Sequence, residues 1–269
     1  MGRLSRRLMA ALILLCLGDA VAQAETLRVG GTGSGLAVAR ALFEAFRTGY
    51  PDVELWMPES VGTRGAVLGL EGGKLDVGVL QRPLRADEVP GGRAQELCRT
   101  PFVFFVASAR TDLQFSRDTL GELYAGTLAS NLRPVLRPEQ ESSTIQLLGY
   151  FPELKAPVEA ARQRRGRVLA LTDQDAMDAA EQSPSLVGVG ALAPLVAERR
   201  RLIPVPLDGV APSIDSLAAG HYPYASQLLL AVGPSPSAAA TAFLDFVAGP
   251  AAAAMLRANG CLPGGQASR

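Results

Sequence analysis

The 269-residue chain has one histidine, one tryptophan, three cysteines and no net charge, its 26 basic side chains matching 26 acidic ones. Each shortage excludes something. A balanced charge exerts no long-range pull on nucleic acid or on an anionic bilayer, so no nucleic-acid partner is expected. One histidine and three scattered cysteines cannot build a structural zinc site, and neither a metal nor a cofactor is expected. Beyond the first two dozen residues no apolar run approaches the roughly 20 residues that a membrane-spanning helix needs; Phe102–Ala107 is far too short. The chain is 48% apolar and only 19% charged, which rules out a disordered polymer. Its length suits one large domain or two small ones.

The first residues read as an address. Arg3, Arg6 and Arg7 precede the apolar run Leu8–Leu17, and Ala22-Gln23-Ala24 offers small residues for cleavage. That pattern predicts a signal peptide over 1–24 and export to the periplasm. A membrane anchor would need a longer run, and Asp19 interrupts this one. Cys16 follows Leu15, where a lipidation motif needs a small residue. Removing Arg3, Arg6, Arg7 and Asp19 leaves 23 basic and 25 acidic groups, a mature charge of −2. Cys98 and Cys261 remain, either bridged in an oxidising compartment or buried as two thiols.

Strand, loop and helix alternate along the mature chain. Leu27–Val29 reads as a strand, and Leu36, Ala39, Leu42, Phe43 and Phe46 recur at helical spacing. Val53–Met57 and Leu75–Leu80 read as strands, Gly65–Leu70 as a helix, and Phe102–Ser108 as a central strand. The theme repeats through Pro134–Leu136, Ile145–Tyr150, Arg167–Leu171, Asp175–Gln182 and Leu186–Gly190. Leu228–Val232 is a late strand before two helices, Ala238–Val247 and Ala251–Ala258. The alternation predicts an α/β fold of parallel βαβ units.

Three loops carry candidate chemistry. Gly31-Thr32-Gly33-Ser34-Gly35 joins a strand to a helix. It lacks the last glycine of a dinucleotide fingerprint, the lysine of a phosphate-binding loop and the spacing of a nucleophile elbow. What remains is an anion cradle, with hydroxyls, close backbone and the positive end of a helix; an N-cap on a permissive turn fits equally. Gly62-Thr63-Arg64-Gly65 repeats the pattern. Arg137 followed by Ser142, Ser143 and Thr144 adds a guanidinium suited to tetrahedral oxyanions.

These loops, with Leu75-Asp76-Val77-Gly78-Val79-Leu80-Gln81-Arg82-Pro83-Leu84 between them and Gly220-His221-Tyr222-Pro223 after them, resemble in order the solute-binding proteins of phosphate ABC transporters. The resemblance implies a two-lobed periplasmic-binding-protein fold, each lobe a mostly parallel sheet flanked by helices, with the ligand cleft at the hinge. Lobe one would comprise 25–107 plus 207–269 and lobe two 108–206. It implies a site of Thr32, Gly33, Ser34, Gly35, Thr63, Gln81, Arg137, Ser142, Ser143 and Thr144 holding inorganic phosphate or a similar oxyanion. It also implies a monomer that delivers the ligand to a membrane permease.

The departures are specific. Gln81 stands where such proteins carry an aspartate that accepts a proton from the ligand. Ser143 replaces the glycine of a Ser-Gly-Thr turn, and the loop from Arg137 is one residue longer. Asp76 reads as structural, Arg64 and Arg82 as surface arginines, His221 as a turn residue, and Asp173 with Asp175 as ordinary charges at a helix start. An enzyme is not expected. The alternative is a partner domain that docks to a membrane sensor and has lost its ligand; a hydrolase is a more distant one.

Overall fold

The computed structural model describes residues 25–264; residues 1–24, where a signal peptide is expected, lie outside the described residues. Strand β1 (Glu25–Gly31) buries Leu27 and Val29 and runs through Thr32 into helix α1 (Gly33–Phe46). The helical periodicity of the sequence is real: Leu36, Ala39, Leu42, Phe43 and Phe46 are all buried on one face. Strand β2 (Val53–Trp56), helix α2 (Gly62–Glu71) and strand β3 (Val77–Leu80) follow, and β1 pairs in parallel with both β2 and β3.

Strand β4 (Arg93–Ala107) joins two sheets. Its first part, Arg93–Pro101, lies antiparallel to β9 (Ala225–Val232). Its second part, from Phe102, lies antiparallel to β7 (Leu186–Ala191) and then to β8 (Leu202–Pro204). The sequence reveals only the second part as a strand. There both faces are covered: Phe102, Phe104 and Val106 enter one core, Val103 and Phe105 another, giving the continuous apolar run of a fully buried strand. Arg93–Glu96 is mostly exposed and polar, so no such run marks it.

Lobe two carries helix α3 (Arg117–Ala125), strand β5 (Arg133–Leu136), helix α4 (Ser142–Tyr150), helix α5 (Lys155–Gln163), strand β6 (Val168–Leu169), helix α6 (Asp173–Gln182), helix α7 (Leu192–Ala197) and helix α8 (Ile214–Ala218). There β5 is parallel to β6 and β7. The strand order is β2-β1-β3-β9-β4-β7-β5-β6. Each lobe therefore holds a parallel trio, completed by antiparallel strands at the junction. Helices α9 (Ala238–Val247) and α10 (Pro250–Ala258) return to lobe one, where Phe243 and Leu256 pack with Phe43 and Phe46. Among the described residues no single helix is long and apolar enough to cross a membrane.

The chain crosses between the lobes earlier on the way out, and later on the way back, than the sequence suggests. The outward crossing falls at Pro101–Phe102, not after Ala107, because β4 already pairs with β7 from Phe102 onward. The return falls near Ala225, not at Leu207: Leu207, Tyr222 and Tyr224 pack in lobe two with Phe102 and Phe104. Tyr150 ties the return strand down, its hydroxyl donating to Ala225 O at 2.6 Å and accepting from Ala225 N at 3.0 Å. Cys98 and Cys261 are bridged, with Cα atoms 5.6 Å apart across 163 residues of sequence, which fastens the end of α10 to β4.

Candidate functional site

Four helix starts meet at the crossing strands: α1 and α2 from lobe one, α4 and α6 from lobe two. Thr32, Ser34, Thr63, Gln81, Arg137, Ser143 and Thr144 are all buried there. The structure thus gathers residues that the sequence scatters over more than a hundred positions.

Gln81 is the centre of the lobe-one side. Its side-chain carbonyl accepts from Thr32 Oγ1 at 3.3 Å and lies 3.1 Å from Ser34 Oγ. Its amide donates to Gln146 Oε1 of α4 at 3.1 Å and to Ser226 Oγ of β9 at 3.3 Å. Its backbone N–H donates to Thr63 Oγ1 at 3.0 Å. Both amide hydrogens are spent within the protein, so Gln81 knits the lobes together. The first amide of α1, Gly33 N–H, is also taken: it donates to Ser60 Oγ at 2.9 Å. Ser60 thus occupies the first amide of α1, while Thr63, expected to hold a ligand, accepts from the Gln81 amide and faces Ser142 Oγ at 3.5 Å. The two central glycines leave no open space beside them. A Cβ at Gly33 would come 2.8 Å from Asp173 Oδ2, and one at Gly35 would come 2.6 Å from Val79 Cγ1.

Arg137 is the centre of the lobe-two side, placed by the end of β5 and 2% exposed in its side chain. Its carbonyl is fixed by Arg162 Nη2 at 2.7 Å and Thr144 Oγ1 at 3.4 Å. Two carboxylates flank its guanidinium. Glu141 Oε1 lies 3.2 Å from Nη2, and Asp173 Oδ1 lies 3.6 Å from Nη1. Yet Arg137 Nε and Nη1, and the hydroxyl of Ser143, are buried without any hydrogen-bond partner. Leaving such donors unmade costs about 1–3 kcal/mol each.

Both carboxylates escape a reading of the sequence. Glu141 is the N-cap of α4, and its side chain accepts from Ser143 N at 2.8 Å. It thereby fills the helix start with a negative group of the chain's own. Burial, with the like charge of Asp173 second, pushes the Glu141 carboxyl up to about 7. Asp173 corrects the expectation of an ordinary first-turn charge. Thr172 and Asp175 form the capping box of α6, which leaves Asp173 facing the other lobe. It is 5% exposed, and its Oδ1 accepts from Ser34 Oγ at 3.1 Å. Beside it Gln174 Nε2 donates to Gly33 O at 3.3 Å. Ser34 has one proton for two acceptors, Gln81 and Asp173, so the cluster is a donor short on one side while Arg137 has donors spare on the other. With two acids around one arginine, the cluster carries −1 when fully ionised.

The remaining candidates fall outside this cluster. Asp76 is gripped by Arg28, Oδ2 to Nε at 2.9 Å and Oδ1 to Nη2 at 2.7 Å; against the upward push of burial, those bonds hold its carboxyl below the usual range. Arg82 pairs with Glu88 through two bonds of 2.7 Å, and Arg64 and His221 are exposed. Among the described residues no group of three or more His, Cys, Asp or Glu is gathered as a metal site.

Fold and site together define a two-lobed α/β protein with a polar cluster enclosed where its strands cross over. The chain belongs to the family described as the PBP superfamily domain, whose profile matches residues 19–251. The fold is shared with a chain from Clostridium perfringens, described as a phosphate ABC transporter substrate-binding protein and solved with bound phosphate. That match has 13% identity and a TM-score of 0.76 over 90% of this chain and 100% of the other. An ABC-type phosphate transport receptor from Vibrio cholerae matches at 13% identity and a TM-score of 0.62, covering 89% of this chain and 100% of its own. The CcmR regulatory domain of Synechocystis, solved with 2-PG, matches at 14% identity and 0.55, covering 83% and 95%. No curated protein matches the sequence.

Proposed function

We propose that this chain is an exported, periplasmic solute-binding protein that holds a tetrahedral oxyanion, phosphate first, between its lobes and presents it to an ABC permease. One observation carries the reading: Arg137 Nε and Nη1 and, at the start of the next helix, Ser143 Oγ are buried without a hydrogen-bond partner. A phosphate-sized oxyanion would satisfy all three, with charge-assisted bonds to the guanidinium. Thr32, Ser34 and Thr63 would supply hydroxyls from the facing lobe, and Ser142 and Thr144 would frame the far helix start. Lobe closure would exclude water, and opening would release the ligand to the permease. Two of the three solved structures described above are phosphate-transport proteins, which agrees with this choice of ligand.

A second reading has its own observation. Gln81 has spent its amide hydrogens inside the protein, and Glu141 and Asp173 supply negative groups where a ligand's would go. A partner domain that docks to a membrane sensor without solute would look the same. Calorimetric titration of the refolded mature chain with phosphate and sulfate decides between them. One-to-one binding that is lost in Arg137→Ala and partly kept in Arg137→Lys supports the transport reading. No heat and no thermal shift with either anion removes it in favour of the partner domain.

A further inference from the structure

The outer end of lobe two has a cavity of about 240 Å³ that plays no part in the cleft. Its floor is apolar, made by the buried side chains of Leu132, Leu136 and Ala161. Its rim is arginine. Arg133 stands at the start of β5, and Arg164, Arg165 and Arg167 come from the single turn between α5 and β6. Arg133 opens β5 and Arg137 follows its last residue, four residues or about 13 Å of extended chain further on. The two sites are therefore separate.

Part of this arginine cluster has a structural explanation. Arg164 Nη2 donates to Tyr124 O at 3.0 Å and to Ala125 O at 2.7 Å, which caps the carbonyl end of α3. The turn is closed by Arg167 N–H donating to Arg164 O at 3.3 Å. Capping does not account for Arg133, Arg165 and Arg167. All three are exposed, and among the described residues none of them pairs with a carboxylate. In a chain without net charge, three guanidinium groups around one apolar hollow repel one another with no counter-ion. An apolar floor beneath a few convergent charges is the usual form of a small-molecule site, and here the sign of every charge asks for an anion.

We propose that this cavity binds a small organic oxyanion: an apolar body of about ten non-hydrogen atoms over Leu132, Leu136 and Ala161, its phosphate or carboxylate group held by Arg133, Arg165 and Arg167. Planar guanidinium groups bind both kinds of head group with paired N–H bonds. The site depends neither on phosphate in the cleft nor on transport.

The test uses phenyl phosphate, 4-phenylbutyrate and inorganic phosphate, titrated calorimetrically into the mature chain carrying Arg137→Ala. If that variant does not fold, wild type replaces it, and the triple arginine variant below separates this site from the cleft. The expected result is one-to-one binding of phenyl phosphate, phenylbutyrate or both, with inorganic phosphate much weaker because it lacks the apolar body. The pair of arms shows which head group is preferred. In Arg133→Ala/Arg165→Ala/Arg167→Ala the affinity should fall by about tenfold or more. These exposed residues can be replaced without disturbing the core. Leu128→Trp, which fills the hollow from its half-buried wall, should abolish binding with the arginines intact. Absence of binding by both organic anions overturns the proposal, as does binding that the triple variant leaves unchanged. Loss of cleft binding alone does not touch it.

Discussion

Neutralising Asp173 should strengthen oxyanion binding, although loss of a buried polar group usually weakens a site. Asp173→Asn keeps the shape of the side chain and an acceptor oxygen for Ser34 while removing the charge. The two carboxylates lie 3.6 Å and 3.2 Å from the Arg137 nitrogens that they face. A ligand oxygen bonded to Arg137 at about 2.8 Å then sits roughly 5 Å from each carboxylate. Two like charges at about 5 Å repel by about 3 kcal/mol at an effective dielectric constant of about 20. For a singly charged ligand that is a gain of roughly 100-fold in affinity, and a dianion gains more. Freeing Arg137 from one partner adds to the gain; weakening the bond to Ser34 takes back about 1 kcal/mol. A net rise of at least about tenfold is expected. Glu141→Gln should act in the same direction with a pH signature. With sulfate, which does not titrate in this range, wild type gains affinity as pH falls through about 7, where Glu141 takes up its proton, and the glutamine variant shows none of that gain. Calorimetry on the three proteins, with phosphate at one fixed pH and with sulfate on either side of about pH 7, measures both effects. Weaker binding in Asp173→Asn than in wild type would refute the reasoning. It would mean that Asp173 positions Arg137 for the ligand and does not compete with it.

Other consequences concern stability. The Glu141 carboxyl rises from 4.5 to about 7 on folding, so the native state holds a proton that the unfolded chain gives up. Its contribution is complete below about pH 4.5 and is lost as pH rises through about 7, a fall of about 3 kcal/mol. Denaturant unfolding at a series of pH values should show that decline in wild type and not in Glu141→Gln; parallel profiles would rule the shift out. The Cys98–Cys261 bridge closes 163 residues, worth about 5 kcal/mol by chain entropy. Scanning calorimetry of Cys98→Ala/Cys261→Ala should find the melting point lower by roughly 10–20 °C; a shift of only a degree or two would contradict the estimate. Gly35→Ala would drive a Cβ to 2.6 Å from Val79 Cγ1 and should cost about 1–3 kcal/mol by overpacking. Unchanged stability would show that α1 moves off the sheet freely.

What the sequence makes legible here is short-ranged. The helix from Gly33 declares itself because its apolar residues recur within one element, and the strand from Phe102 because both its faces are covered. The first half of β4 stays hidden, since its partner β9 is more than a hundred residues away and its exposed face is polar. Helix α5 is likewise hidden, with only Val158 and Ala161 buried. The lobe boundary is misplaced for a related reason. A continuous strand gives no local mark where its hydrogen-bonding partner changes from β9 to β7.

The candidate site divides along the same line. Hydroxyls, glycines and an arginine at helix starts are visible, because each loop contains its own pattern. The charge balance of the cluster is invisible, because it is set by where two acids point. At a helix start Asp173 and Asp175 look interchangeable. Only the pairing of Thr172 with Asp175 leaves Asp173 to reach Ser34, 139 positions away. The spacing from Arg137 to Ser142 has a comparable effect, since it puts Glu141 at the N-cap of α4 with its carboxylate on the Ser143 amide. The cluster thus combines helix starts of the kind expected for an anion cradle with an interior of one arginine and two acids. Under the proposed function, any oxyanion that binds must bring a proton, displace an acid or offset both charges, so ligand choice would be decided by Glu141 and Asp173 before it is decided by Arg137.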